Sequence, residues 1–160
     1  MALLSKSCVY GIRAAILMAI KGEKEFISIK DIAEELNLSA HFLTKILQLL
    51  TQEGLLISHR GPKGGVKFSR PAKNIKLIEI VAAIDGMELF EECALGLHGC
   101  GTATPCPLHE KWAEHKIVLR TLFETENLEK LAINVQDAGL RLRTLSQLDI
   151  IEFNNTKKQK

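Results

Sequence analysis

Apolar residues recur at three- and four-residue steps through the first third of the chain. In LLSKSCVYGIRAAILMAIK, residues 3–21, Val9, Ile12, Ile16, Leu17 and Ile20 follow the helical period, which predicts an amphipathic helix ended by Gly22. SIKDIAEEL follows from Ser28. Ile32, Ala33 and Leu36 form the stripe of a second, short helix, Ser28 and Asp31 have capping-box spacing, and Asn37 breaks it. LSAHFLTKILQLLTQEGLL predicts a third helix. Ser39 is its expected cap, because its hydroxyl can satisfy a free N–H of the first turn, and Gly54 stops it. Phe42, Leu43, Ile46, Leu47 and Leu50 make the expected buried face. Two short helices joined by a tight turn form a helix-turn-helix pattern.

After Gly54 the pattern shortens. Leu55, Leu56 and Ile57 read as a strand, RGPKGG as a turn and VKFS as the return strand, a hairpin with a basic, glycine-rich tip. Residues 75–84, IKLIEIVAAI, predict a further helix closed by Asp85-Gly86. Helix, helix-turn-helix and hairpin is the order of a winged helix-turn-helix. Beyond an irregular stretch, Leu108, Trp112, Leu119 and Leu122 share one helical stripe, and Ile117, Val118 and Phe123 widen it. A helix apolar over so much of its girth needs cover on more than one side, and a second copy of itself is the natural partner. A short helix is expected from Glu126 to about Val135, with Thr125 as its cap. The tail, ending EFNNTKKQK, is polar and expected to be partly disordered.

These elements predict a mainly α protein: a winged helix-turn-helix with a small β-hairpin wing, a cysteine loop and a long dimerisation helix. The expected organisation is a DNA-binding domain at 1–85, a loop at 86–109, the dimerisation helix and its short successor at 110–135, and a tail at 136–160. No apolar run approaches the roughly 18 residues of a membrane span, and MALLSKSCVYGIRAA is too polar for a secretory signal. The expectation is a cytoplasmic protein with no membrane contact, where four cysteines stay reduced rather than forming structural disulfides.

The net charge of +2 says little, but its distribution says more. Residues 1–85 carry 12 Lys/Arg against 8 Asp/Glu, and residues 86–160 carry 9 against 11. Between Glu53 and Glu79 there is no acid, while Arg60, Lys63, Lys67, Arg70, Lys73 and Lys76 all fall there. Such a stripe suits a phosphate backbone, or else a plain solvated surface. In a winged helix-turn-helix the second helix of the motif enters the major groove. Its polar face here is Ser39, Ala40, His41, Thr44, Lys45 and Gln48, short groups that reach base edges or phosphates. The wing adds His59, Arg60 and Lys63, with Gly64 and Gly65 permitting close backbone approach, and Arg60 suits a minor groove. The alternative is a winged helix that binds protein and not DNA; the polar face and basic wing together favour double-stranded DNA.

The irregular stretch holds Cys93, Cys100 and Cys106, with six residues between the first pair and five between the second. Zinc sites more often show a CxxC pair. Wide spacing in a glycine-bearing loop suits an iron–sulfur cluster, and one ligand to such a cluster need not be cysteine. The chemistry alone leaves three occupants open: a cluster, a zinc ion, or none in a thiol switch. No nucleophile–base pair and no phosphate-cradling motif points to an enzyme.

The stretches LSKSCVYGIRA, IKDIAEELNLSAHFLTKILQLLTQEGLL, SHRGPKGGVKFSRP and IVAAIDG, followed by C-x6-C-x5-CPLHEKW, resemble the IscR/NsrR/RirA-type family of bacterial iron–sulfur transcription regulators. The resemblance runs from about residue 1 to residue 135. It implies a homodimer on a partly palindromic operator, whose promoter occupancy, as a repressor, is set by a cluster. The six-and-five spacing departs from the five-and-five of some members, which leaves cluster supply, nitric oxide, oxygen and iron open as the signal. By the resemblance, His109 stands where IscR-type proteins place a histidine ligand to a [2Fe–2S] cluster, and Cys8 where some NsrR-type relatives use a carboxylate. A [2Fe–2S] cluster on Cys93, Cys100, Cys106 and His109 is the favoured expectation, with [4Fe–4S] and Cys8 as alternatives. Cys8 can equally be a small buried apolar residue, and His109 a solvent-facing helix terminus. The rival readings are a cluster-free thiol-switch or zinc-binding repressor and, further off, an electron-transfer or cluster-delivery protein.

Overall fold

A computed structural model describes residues 3–22, 25–98 and 103–142. In chain order the elements are α1 (Lys6–Lys21), α2 (Ile29–Leu36), α3 (Ala40–Gln52), β1 (Leu56–His59), β2 (Gly65–Phe68), a 3₁₀ turn (Ala72–Asn74), α4 (Leu77–Ile84), α5 (Glu88–Glu91), α6 (His109–Thr125) and α7 (Leu128–Ala138). The architecture is mainly helical with one antiparallel hairpin, in the register Leu56↔Phe68 to His59↔Gly65. No described helix is long and apolar enough to cross a membrane.

The main core lies where α1 meets α2, α3, α4 and α7. Met18, Ile32, Leu43, Ile46, Leu47, Leu50, Ile75, Ile80 and Leu128 are each at most 2% exposed. Gly11 marks one close approach: a Cβ there would stand 2.5 Å from Ile84 Cδ1, so a larger residue would require the Ile84 side chain to turn aside. Asn37 ends α2 in the left-handed conformation, and Ser39 caps α3 by accepting from the Phe42 N–H at 3.4 Å. The helix-turn-helix and the wing therefore form as their pattern predicts.

Phe42 is a correction. It is 39% exposed and packs edge-on against Tyr10 at 6.0 Å between centroids, whereas Leu43 takes the inward place. At about 100° per residue Leu43, Ile46, Leu47 and Leu50 centre on one direction, and Phe42 falls about a quarter-turn from it, at the edge of the buried face. The capping box at Ser28 is also absent: Ser28 stands at the N-cap of α2 but makes no side-chain capping bond. The entry to α2 is fixed instead by the paired backbone bonds between Ile27 and Val66, both 2.9 Å, which tie it to the wing. Thr125 does not cap α7 either. Its hydroxyl donates back to the Thr121 carbonyl at 2.8 Å, and Asn127 caps α7 by accepting from the Lys130 N–H at 2.9 Å.

Two features had no forewarning in the pattern. The short α5 places Phe90 in a second cluster with Cys8, Val81 and Phe123. α7 returns to the main core, burying Leu128 and Ala132, and Leu128 N–H donates to the Ile75 carbonyl at 3.1 Å. Arg13 on α1 donates to the carbonyls of Leu36 (3.2 Å) and Leu142, so it ties the end of α2 to the segment that follows α7. Of the expected tail, residues 143–160 lie outside the described residues.

Candidate nucleic-acid interface and cysteine loop

Capping by Ser39 and burial of Leu43, Ile46, Leu47 and Leu50 fix which side of α3 is left outward. Ser39, Ala40, His41, Lys45 and Gln48 are exposed on it, and Thr44 is half-buried with its hydroxyl donating to the Ala40 carbonyl at 2.8 Å. Between this helix and the wing runs an open cleft of about 380 Å³ that includes Thr44, Gln48, His59, Arg60 and Gly64. Ser28, Lys30 and Thr51 line the same cleft. The pattern named Ser28 only as a helix cap and did not name Lys30 or Thr51; the usable signal was a cation beside a helix N-terminus.

The wing glycines have an internal requirement. A Cβ at Gly64 would lie 2.4 Å from the His59 carbonyl oxygen, and at Gly65, where φ is +151°, one would lie 2.1 Å from the Ile27 oxygen. They let the hairpin close and dock on the segment before α2. His59 packs against Phe26 with ring centroids 5.5 Å apart and planes tilted by 40°, and Lys67 sits 4.8 Å over the same ring. Arg70 pairs with Glu79. Of the six cations in the acid-free interval, Arg60 and Lys63 are the exposed pair at the wing turn.

The cysteine loop begins where α5 ends and stops where α6 begins. Cys93 is half-buried, Cys106 is 9% exposed, and their sulfurs lie 3.6 Å apart. Cys100 lies outside the described residues. His109 opens α6, half-buried, and its N–H donates to the Cys106 carbonyl at 2.9 Å. Trp112 Nε1 donates to the Glu92 carbonyl at 3.0 Å and Lys116 Nζ to the Glu91 carbonyl at 2.9 Å, so α6 holds the start of the loop. His98 and His115 are exposed.

Cys8 sits elsewhere in chemical terms. It is wholly buried among Val81, Phe90 and Phe123. Burial, then the charge of Asp85 and a hydrogen bond to it, pushes its thiol up to about 12. Asp85 also accepts from the Ser5 hydroxyl and from the Ser5 N–H at 2.8 Å. Such surroundings favour the protonated thiol in the metal-free chain.

On α6, Leu119 and Phe123 turn inward onto the Phe90 cluster, with the Phe90 and Phe123 rings 5.5 Å apart. Ile117, Val118 and Leu122 of the same helix stay 66, 72 and 52% exposed.

A profile of the Rrf2 family, described as iron-dependent transcriptional regulator, matches residues 4–134. The chain is 27% identical over 135 residues to the HTH-type transcriptional regulator NsrR of Oceanobacillus iheyensis, spanning 84% of this chain and 92% of that protein. It is 28% identical over 125 residues to the HTH-type transcriptional regulator IscR of Xenorhabdus nematophila, spanning 78% and 76%. Among solved structures, CymR, the global cysteine regulator of B. subtilis, is similar with a TM-score of 0.70 and 26% identity over 82% of this chain and 97% of that one.

Proposed function

The chain belongs to the Rrf2 family of iron-dependent transcriptional regulators, and from that premise we propose that it is a homodimeric repressor whose promoter occupancy is set by an iron–sulfur cluster on the cysteine loop. Family membership itself makes it a DNA-binding transcription regulator and not an enzyme. Ser39, Ala40, His41, Thr44, Lys45 and Gln48 enter the major groove; His59, Arg60, Lys63 and the Gly64-Gly65 backbone follow the flanking groove and phosphates. A regulator that reads promoters works where the DNA is, so cytoplasmic placement belongs to the same reading.

The observation that carries the cluster is the 3.6 Å separation of the Cys93 and Cys106 sulfurs. Two thiolates bound about 2.3 Å from one tetrahedral metal atom stand about 3.8 Å apart. The pair therefore fits a single iron with little movement. Cys93, Cys100, Cys106 and His109 would hold the cluster, with [2Fe–2S] the favoured form and [4Fe–4S] the alternative. His109 is supported as fourth ligand by its place beside Cys106, and Cys8 is disfavoured by its burial against Asp85. The group would supply a site whose integrity depends on iron supply, oxidants or nitric oxide. The protein's own part is to hold the loop ends against α5 and α6, next to the apolar face through which two copies meet.

The likeness to CymR, described as a global cysteine regulator, favours a second reading, a thiol switch without a cluster. Anaerobic purification separates the two. The cluster reading expects visible absorption with iron and acid-labile sulfide together, both reduced in Cys93→Ala, Cys100→Ala and Cys106→Ala. One zinc per chain without sulfide, or colourless protein that takes up no iron on reconstitution, overturns it.

A further inference from the structure

We infer that the metal-free chain carries a selective peroxide-reactive dithiol, in which Cys93 is oxidised first and Cys106 then closes an intrachain disulfide with it. Only the consequence, that this bond blocks reloading of the loop until it is reduced, rests on the cluster reading. The pairing follows from position. The two sulfurs are 3.6 Å apart, so they need close by only about 1.6 Å to reach bonding distance. Neither residue lies inside a helix or strand: Cys93 follows α5 and heads a turn in which Gly96 N–H donates to its carbonyl at 2.9 Å, and Cys106 precedes α6. Movement of either therefore breaks no helix or sheet ladder.

The order follows from exposure. Thiol oxidation selects the accessible sulfur, and Cys93 is half-buried while Cys106 is 9% exposed. The Cys93 thiolate attacks one oxygen of hydrogen peroxide; the O–O bond breaks, hydroxide leaves as water after taking a proton, and Cys93 becomes a sulfenic acid. The Cys106 thiolate then attacks the Cys93 sulfur, the S–O bond breaks, and the second hydroxide leaves as water with the proton that Cys106 released. Two thiols lose two electrons in total, and one peroxide becomes two waters. Cys8, wholly buried in the Phe90 cluster, is left out.

The test uses the full chain, reduced, stripped of iron with a chelator, treated with hydrogen peroxide and mapped by mass spectrometry after alkylation. The expected result is one peptide pair linking Cys93 to Cys106, with Cys8 and Cys100 alkylated. In Cys106→Ser, dimedone should trap a sulfenic acid on Cys93; in Cys93→Ser, oxidation at Cys106 should slow by about tenfold or more. A disulfide that includes Cys100, an interchain bond, a sulfenic acid on Cys106, or a dithiol that peroxide leaves unoxidised overturns the inference. Iron and sulfide content of the untreated protein reports separately on the cluster, so either idea fails without the other. The wild-type disulfide map decides the pairing even where a variant folds poorly.

Discussion

Replacing Val118 by Asp tests the dimer most directly. Ile117, Val118 and Leu122 of α6 keep 66, 72 and 52% of their surface exposed. At about 2 kcal/mol for a side chain taken wholly out of water, covering all three on both protomers contributes about 8 kcal/mol. That lies within the span of the roughly 4–15 kcal/mol cost of association, so each residue decides much of the outcome. In a two-fold interface every substitution occurs twice. Val118→Asp removes about 3 kcal/mol of burial across the pair and adds two carboxylates with no partner. The dissociation constant should rise at least about 100-fold. Sedimentation equilibrium at micromolar concentration reads it, and operator affinity should fall with it because one half-site offers few contacts. Leu119 is the wrong place for this test, because it packs against the Phe90 cluster and its loss would disturb the fold itself. If Val118→Asp remains a dimer with unchanged affinity, α6 is not the interface.

Three further outcomes follow. Arg60→Ala should weaken operator binding chiefly at A·T-rich flanks, whereas Lys45→Ala should weaken it across sequences and reduce the salt slope by about 1; equal effects from titrations in two salts would contradict the division. Leu128→Ala, at 0% exposure, should lower stability by about 2–5 kcal/mol and raise amide exchange in α1, read from denaturant midpoints and exchange mass spectrometry. The Cys8 thiol, held at about 12 against an ordinary 9.0, keeps its proton in the folded chain when the unfolded chain has lost it. Stability should therefore fall as pH rises from 9.0 towards 12, and denaturation of Cys8→Ala should lack that decline.

Local pattern reached the fold where one residue's neighbours in sequence decide its state. The Ser39 cap, the Asn37 break and the hairpin around RGPKGG are local, and each forms. What escaped depends on partners far along the chain. Phe42 reads as core on α3 alone; Tyr10, thirty-two positions earlier, gives it an outward place. The docking of Leu128 beside Ile75 and the capture of Cys8 by Asp85 likewise join segments that no periodicity relates. The site was legible in part. The thiol spacing named Cys93 and Cys106, but their contact distance and the anchoring of the loop by α6 needed the tertiary structure.

That anchoring gives α6 two duties, since one of its sides holds the loop and another offers the apolar face. Glu91 and Glu92 present backbone carbonyls to Lys116 and Trp112, so the tether cannot be removed from the loop side by substitution. Trp112→Phe removes the donor and keeps an aromatic ring in its place. One neutral hydrogen bond contributes about 0.5–1.5 kcal/mol, so local opening of the loop start should become roughly two- to twelvefold more frequent. Amide exchange at Cys93 and Gly96 reads that opening directly and does not depend on a cluster. Lys116→Met loosens the neighbouring carbonyl, and the double substitution measures whether the two bonds act as one clamp. Faster exchange confined to the loop, with α3 and the wing unchanged, is the expected pattern. Unchanged exchange in both single variants would mean that the loop start is held by the Cys93–Cys106 contact and the Phe90 cluster, and that α6 serves only the dimer.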